Sequence, residues 1–181
     1  MINARAFQEA LKLDCLVSSP FDEWDLRTPD LNRPGMQFCG FYEFFAFERP
    51  QVIGKAEMAY LEEQNESSRK EILERYLSHP IPCVVICRNL IPPDELLSVA
   101  RAHNVPFYSS PLVTSKFVAL AINYLNRSLA PHITRHGVLL DVSGIGVFLS
   151  GKSGVGKSEA ALELVKRGHQ LVADDVVDIC R

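Results

Sequence analysis

The chain has 181 residues, 47% hydrophobic and 23% charged, with 10 Gly, 11 Pro and 9% aromatics. That balance excludes collagen-like, coiled-coil and wholly disordered chains, and the length allows one large domain or one domain plus part of another. A net charge of −3 with a pI near 6.0 shows no basic excess of the kind that nucleic-acid or anionic-membrane partners select. Met1–Ala10 has no apolar h-region, and no apolar stretch approaches the roughly 20 residues of a membrane span. The expectation is a soluble cytoplasmic protein without nucleic-acid or membrane partners.

In chain order, Ala4–Leu13 reads as a short helix with Phe7, Leu11 and Leu13 towards a core. Asp30-Leu-Asn-Arg-Pro-Gly35 is turn chemistry, since Pro fixes φ and Gly permits positive φ. An aromatic-dense stretch, Phe38–Phe47, precedes the strand Gln51–Gly54 and the helix Ala56–Gln64. Ser68-Arg-Lys-Glu71 has capping-box spacing and opens a helix that closes before Pro80. Pro82–Cys87 is a buried strand, Pro92-Pro93-Asp94 starts a helix lasting to about His103, Val105–Tyr108 is a second strand, and Thr114–Asn126 a helix. Strand–helix alternation with short connections predicts a parallel sheet with helices packed on it. His79 and His103 fall at element ends, as capping or solvated histidines do.

The five cysteines are Cys15, Cys39, Cys83, Cys87 and Cys180, an odd number without CxxC spacing. Cys83 and Cys87 share a strand face and read as core residues, not metal ligands, and free thiols fit a reducing compartment. Residues 1–128 thus form an α/β domain, 129–134 a linker, and 135–181 a region of different character.

That region centres on Gly151-Lys152-Ser153-Gly154-Val155-Gly156-Lys157-Ser158, which satisfies G-x-x-x-x-G-K-[ST]. A strand-like Gly146–Ser150 precedes it and an amphipathic helix, Ser158–Arg167, follows, ended by Gly168. This is the context in which backbone N–H groups cradle phosphate oxygens at a helix N-terminus. Lys157 would neutralise the β/γ-phosphates, and the Ser158 hydroxyl would bind Mg²⁺. Upstream, His136–Val142 and Ile145–Ser150 are apolar runs joined by Ser143-Gly144, a tight hairpin. With Val142 opposite Ile145, Asp141 faces Gly146, Leu139 faces Phe148, and His136 faces Gly151 at the mouth of the loop. His132 and His136 have i,i+4 spacing, but Pro131 and the following strand argue against a helical metal site. Downstream, Gln170–Asp178 is an apolar strand interrupted by Asp174 and Asp175, expected close to the phosphate-loop strand. One carboxylate could order Mg²⁺ and the other could accept a proton from an attacking hydroxyl.

Together these segments resemble HPr kinase/phosphorylase, a bacterial family of sugar-transport regulation. The resemblance runs from about Asp30, through Gln51-Val-Ile-Gly-Lys55, Pro82-Cys-Val-Val-Ile86 and His136–Val142, to the loop and Leu171-Val-Ala-Asp-Asp-Val176. It implies an ATP- and Mg²⁺-dependent kinase that phosphorylates a serine of the phosphocarrier HPr. It also implies removal of that phosphate by inorganic phosphate, giving pyrophosphate. By the same resemblance Asp175 is general base and general acid, Lys157 holds phosphate, Ser158 binds Mg²⁺ with Asp174 as a further candidate ligand, and His136 supports transfer. The implied fold is a murein-precursor-ligase-like N-terminal α/β domain followed by the start of a P-loop domain like phosphoenolpyruvate carboxykinase, assembled as a homohexamer. In the family a further acidic Mg²⁺ ligand, a signature segment and phosphate-contacting arginines lie beyond the point matching Arg181. The C-terminal region therefore reads as truncated. Two other readings are a carboxykinase-like kinase of a small molecule and an inactive regulatory or assembly module.

Overall fold

A computed structural model describes residues 2–20 and 25–180. The chain divides into two compact units, Met1–Leu129 and Ala130–Arg181. Both are mixtures of helix and strand, so the α/β class expected from the alternation of apolar runs is the class observed.

In the first unit β1 (Ile2–Asn3), α1 (Ala4–Ala10), β2 (Asp14–Val17), β3 (Asp25–Leu26) and α2 (Gly35–Phe38) come first. Then follow β4 (Gln51–Ile53), α3 (Lys55–Glu63), α4 (Glu66–Leu77), β5 (Val84–Cys87), α5 (Asp94–Ala102), β6 (Phe107–Ser110) and α6 (Thr114–Leu129). The main sheet has the order β2-β6-β5-β4. Strands β4, β5 and β6 are parallel, while β2 joins β6 antiparallel. The sheet buries both faces because side chains alternate along each strand. Val84 and Ile86 enter one core with Leu61, Leu73, Leu96 and Val99. Cys83, Val85 and Cys87 enter the other, with Phe7, Phe117, Ala121 and Leu125. Both cysteines are buried, and burial lifts the pKa of the Cys87 thiol to about 11.

The Asp30–Gly35 turn is tied to this sheet. Asn32 N–H donates to the Pro50 carbonyl at 3.0 Å, and its own carbonyl accepts from Val52 at 2.8 Å. Arg33 reaches the buried Glu57 at 2.8 Å, and that carboxylate accepts the Gly54 N–H at 2.9 Å, closing the first turn of α3.

Several boundaries differ from the sequence reading, and three of them have a plain physical cause. Helix α1 stops at Ala10 because Lys12 turns the backbone with φ 52°, although Leu13 is still buried. Helix α4 begins at Glu66, capped by Asn65, whose side chain accepts the Ser68 N–H at 2.9 Å; Ser68 is the recipient of a cap and not the cap. Strand β6 begins two residues later than expected, because Pro106 has no N–H to donate while its carbonyl accepts from Val84. His103 sits at the end of α5, 2.7 Å from Glu74 on α4, and His79 stacks on the Tyr42 ring.

In the second unit β7 (His132–Val142), β8 (Ile145–Ser150), α7 (Lys157–Lys166), β9 (Gln170–Ala173) and β10 (Val176–Cys180) follow. Helix α6 ends at Leu129 and β7 starts at His132, so strand occupies half of the stretch read as a 129–134 linker. Strand β7 is central, with β8 along one edge and β9 and β10 along the other. The β7–β8 register pairs Val142 with Ile145, Asp141 with Gly146 and Leu139 with Phe148, as the hairpin arithmetic predicts. Ser143 and Gly144 both take positive φ, 56° and 85°, and Asp141 accepts the Gly144 N–H at 2.7 Å. Strand β9 does not pair with the phosphate-loop strand β8. It pairs with β7, which lies between them.

The core here is thin: Val138, Leu140 and Ala161, with Val142, Leu149 and Leu164 packed against them. Gly137 is pressed on its open side, where an added Cβ would lie 2.5 Å from both the Leu149 carbonyl and the Phe148 ring. No described helix is long and apolar enough to cross a membrane.

Two outcomes follow. Residues 1–129 expressed alone unfold in one cooperative thermal transition, since both cores of the first unit close within it; an aggregated or molten product contradicts this. Gly137→Ala destabilises the second unit by about 1–3 kcal/mol, the usual cost of overpacking, read as the loss of amide-exchange protection in β7 and β8.

Candidate active site

The loop after β8 turns through glycines at φ 157° (Gly151), 80° (Gly154) and 94° (Gly156). A Cβ on Gly151 would sit 3.0 Å from Val155. Positive φ at Gly154 and Gly156 is cheap only for glycine, and it lets the loop close and hand over to α7, with Gly156 as the residue before the helix. The Lys157 ammonium folds back over the loop and donates to the carbonyls of Gly151 at 2.8 Å and Lys152 at 3.0 Å.

Facing this loop is the break between β9 and β10. Val176 N–H donates to the Asp174 carbonyl at 2.9 Å across Asp175, which has φ 71°. An i to i+2 hydrogen bond around a positive φ is a γ-turn, rare and strained for a residue with a side chain. The Asp174 carboxylate accepts the Asp175 N–H at 2.9 Å, and the Asp175 carbonyl accepts the Gly137 N–H at 3.1 Å. The interruption that the apolar pattern suggests at these acids is thus a bulged turn held on β7.

Loop and turn line one cavity of about 330 Å³, shared by Ser153, Gly154, Gly156, Lys157, Ser158, Asp174 and Asp175. Lys152 and Val155 of the motif lie on the loop's exposed side. His136 pairs with Val176 at the end of the β7–β10 ladder, is exposed, and is not among the residues lining the cavity. By strand alternation it shares a face with Val138, which does line it. Gly137, Val138 and Glu159 complete the wall without having been singled out from sequence. The one available signal was Gly137, a glycine inside a strand pattern, which marks close backbone approach.

The donors at this cavity suit a hard cation bound together with phosphate: a Ser158 hydroxyl and the carboxylates of Asp174 and Asp175. Among the described residues, no three His, Cys, Asp or Glu side chains cluster as a self-sufficient metal site.

Comparison with known proteins follows the same two-unit division. The model for the HPr Serine kinase N terminus matches residues 2–125, and that for the HPr Serine kinase C-terminal domain matches residues 127–181. HPr kinase/phosphorylase of Alkaliphilus metalliredigens is 53% identical over 156 residues, covering 86% of this chain and 50% of the relative. The Thermoanaerobacter sp. (strain X514) protein of that name is 47% identical over 171 residues, 94% of this chain and 56% of the relative. That of Clostridium beijerinckii is 49% identical over 169 residues, 93% and 56% respectively. The chain therefore spans about half the length of the curated relatives it matches. Among solved structures, the CBS and DRTGG domains of a Clostridium perfringens pyrophosphatase align with TM-score 0.49 and 13% identity over 97% of this chain and 67% of that one. With family models over both units and relatives near half identity, the chain belongs to the HPr kinase/phosphorylase family.

Proposed function

We propose that the second unit holds the phosphate-transfer site of an ATP- and Mg²⁺-dependent kinase that phosphorylates a serine of HPr and reverses the reaction by phosphorolysis. The observation that supports this most is the shared cavity, which sets Lys157 and Ser158 against the Asp174–Asp175 turn. Phosphate oxygens are held by the N–H groups of Gly154, Gly156 and Lys157, with the Lys157 ammonium moving from the loop carbonyls to the phosphates. Ser158 and Asp174 hold Mg²⁺, which neutralises phosphate charge when bound. The Asp175 carboxylate takes the proton of the attacking serine hydroxyl as that oxygen bonds to the γ-phosphorus and the bond from the γ-phosphorus to the β-phosphate oxygen breaks, releasing ADP. In reverse, inorganic phosphate attacks phosphoserine, pyrophosphate forms, and the same carboxyl returns the proton to the leaving serine oxygen. His136, on the edge of the cavity face of β7, supports transfer by handling protons at the phosphate side.

Lys157→Ala weakens binding of ATP and of pyrophosphate together, by at least about tenfold, as loss of a charge-assisted contact requires; calorimetric titration of each checks it. Loss of only one contradicts a shared cradle. Asp175→Asn keeps size and removes basicity, so label transfer from ATP to purified HPr and phosphorolysis of phospho-HPr both fall by roughly 10²–10⁴-fold. The nucleotide Kd stays within about twofold, because the loop and not this carboxylate carries binding. Nucleotide binding lost as severely as turnover would make Asp175 a metal or structural ligand and shift the base to Asp174.

A further inference from the structure

The phosphate cavity carries one more acid than the proposed chemistry uses. Glu159 joins Asp174 and Asp175 in its wall, against a single cationic side chain, Lys157. Three carboxylates and one ammonium leave negative charge in excess where anionic phosphate is to sit. The Lys157 ammonium is itself turned back onto the carbonyls of Gly151 and Lys152.

Glu159 stands in the first turn of α7, three residues after Gly156. Helical side chains lean towards the N-terminus of their helix. This one brings its Oε2 to 3.4 Å from the place a Cβ on Gly156 would take. The carboxylate therefore lies at the end of α7 whose free N–H groups and dipole attract anions. Among the described residues no hydrogen bond or ion pair holds it, whereas Glu163, one turn further on, pairs with Arg167 at 3.1 Å. In an ordinary helix an acid here would simply favour the N-terminus. In α7 the same N–H groups form the phosphate cradle, so carboxylate and phosphate compete for one positive end.

We propose that Glu159 is a specificity-determining residue that repels free phosphate from the loop, so that phosphate enters as its complex with a divalent cation. This rests on the reading of the loop as a phosphate cradle. Glu159 needs no contact with the cation. Its charge raises the cost of an uncompensated phosphate anion, and that cost falls when two positive charges arrive with the phosphate.

The test is calorimetric titration of the 181-residue chain with pyrophosphate at low ionic strength, in EDTA and again with Mg²⁺. Glu159 is exposed to solvent, so screening keeps the effect modest: Glu159→Gln binds metal-free pyrophosphate roughly 3–10-fold more tightly than the unsubstituted chain. With Mg²⁺ the gain shrinks to less than about twofold, and in EDTA it fades as salt is raised. Glu159→Asp, which keeps the charge, stays within about twofold of the unsubstituted chain in both arms. Metal-free binding that is unchanged or weaker in Glu159→Gln makes the residue a helix cap and overturns the proposal. Weaker binding of that variant only with Mg²⁺ makes it a metal ligand and also overturns it. If Lys157→Ala leaves pyrophosphate affinity intact in both arms, or the unsubstituted chain binds none, the cradle reading itself fails and the proposal falls with it.

Discussion

The Gly137 N–H donated to the Asp175 carbonyl at 3.1 Å is the contact on which the candidate site depends. It bridges the point where the ladder passes from β9 to β10, and it does so from a strand already paired with β8 along its other edge. A γ-turn around a non-glycine residue costs on the order of 1–3 kcal/mol and persists only where its surroundings over-determine it. Here the surroundings are the pairs Leu139–Ala173 on one side of the turn and His136–Val176 on the other. The strain therefore falls on Asp175, the residue proposed above as the proton carrier. Gly137 can serve because it has no Cβ: the Phe148 ring and the Leu149 carbonyl already occupy that space. Position 137 is thus constrained from β8 and from the acidic turn at once.

What could be read from sequence tracks how local the determining physics is. A two-residue connection fixes a hairpin register almost alone, so the β7–β8 pairing follows from counting outward from Ser143-Gly144. Strand β5 is legible because Val84–Cys87 is apolar at every position and buried on both faces. Strand β2 is not: Asp14-Cys15-Leu16-Val17 is short and exposed at its first two positions, and it becomes a strand only by adding to the edge of β6. The pairing partner of β9 was not legible for a related reason. An apolar period of two states which face of a strand is buried but not which neighbour it joins, and here the neighbour is β7.

The site residues divide the same way. The phosphate loop is legible because its backbone geometry requires glycine at fixed offsets, which sequence displays directly. The Asp174–Asp175 pair is visible as carboxylates breaking an apolar run. The γ-turn that aims them is not, because nothing in aspartate's propensities demands φ 71°. The position of His136 beyond the cavity wall depends on where the β7–β10 ladder ends, a long-range property. The candidate site sits where local preference and tertiary demand disagree, as functional sites generally do.

The first unit offers an internal comparison of two buried glutamines. Gln51 and Gln37 are both buried glutamines of the same unit, at 0% and 6% exposure. Gln51 is fully engaged: its nitrogen donates to the carbonyls of Ala46 and Arg49, and its oxygen accepts from Asn32 and, at 3.4 Å, from the Tyr76 hydroxyl. This fold can therefore satisfy a buried glutamine when that side chain only holds structure together. Leaving the Gln37 oxygen orphaned costs about 1–3 kcal/mol, which an apolar residue of similar shape would avoid.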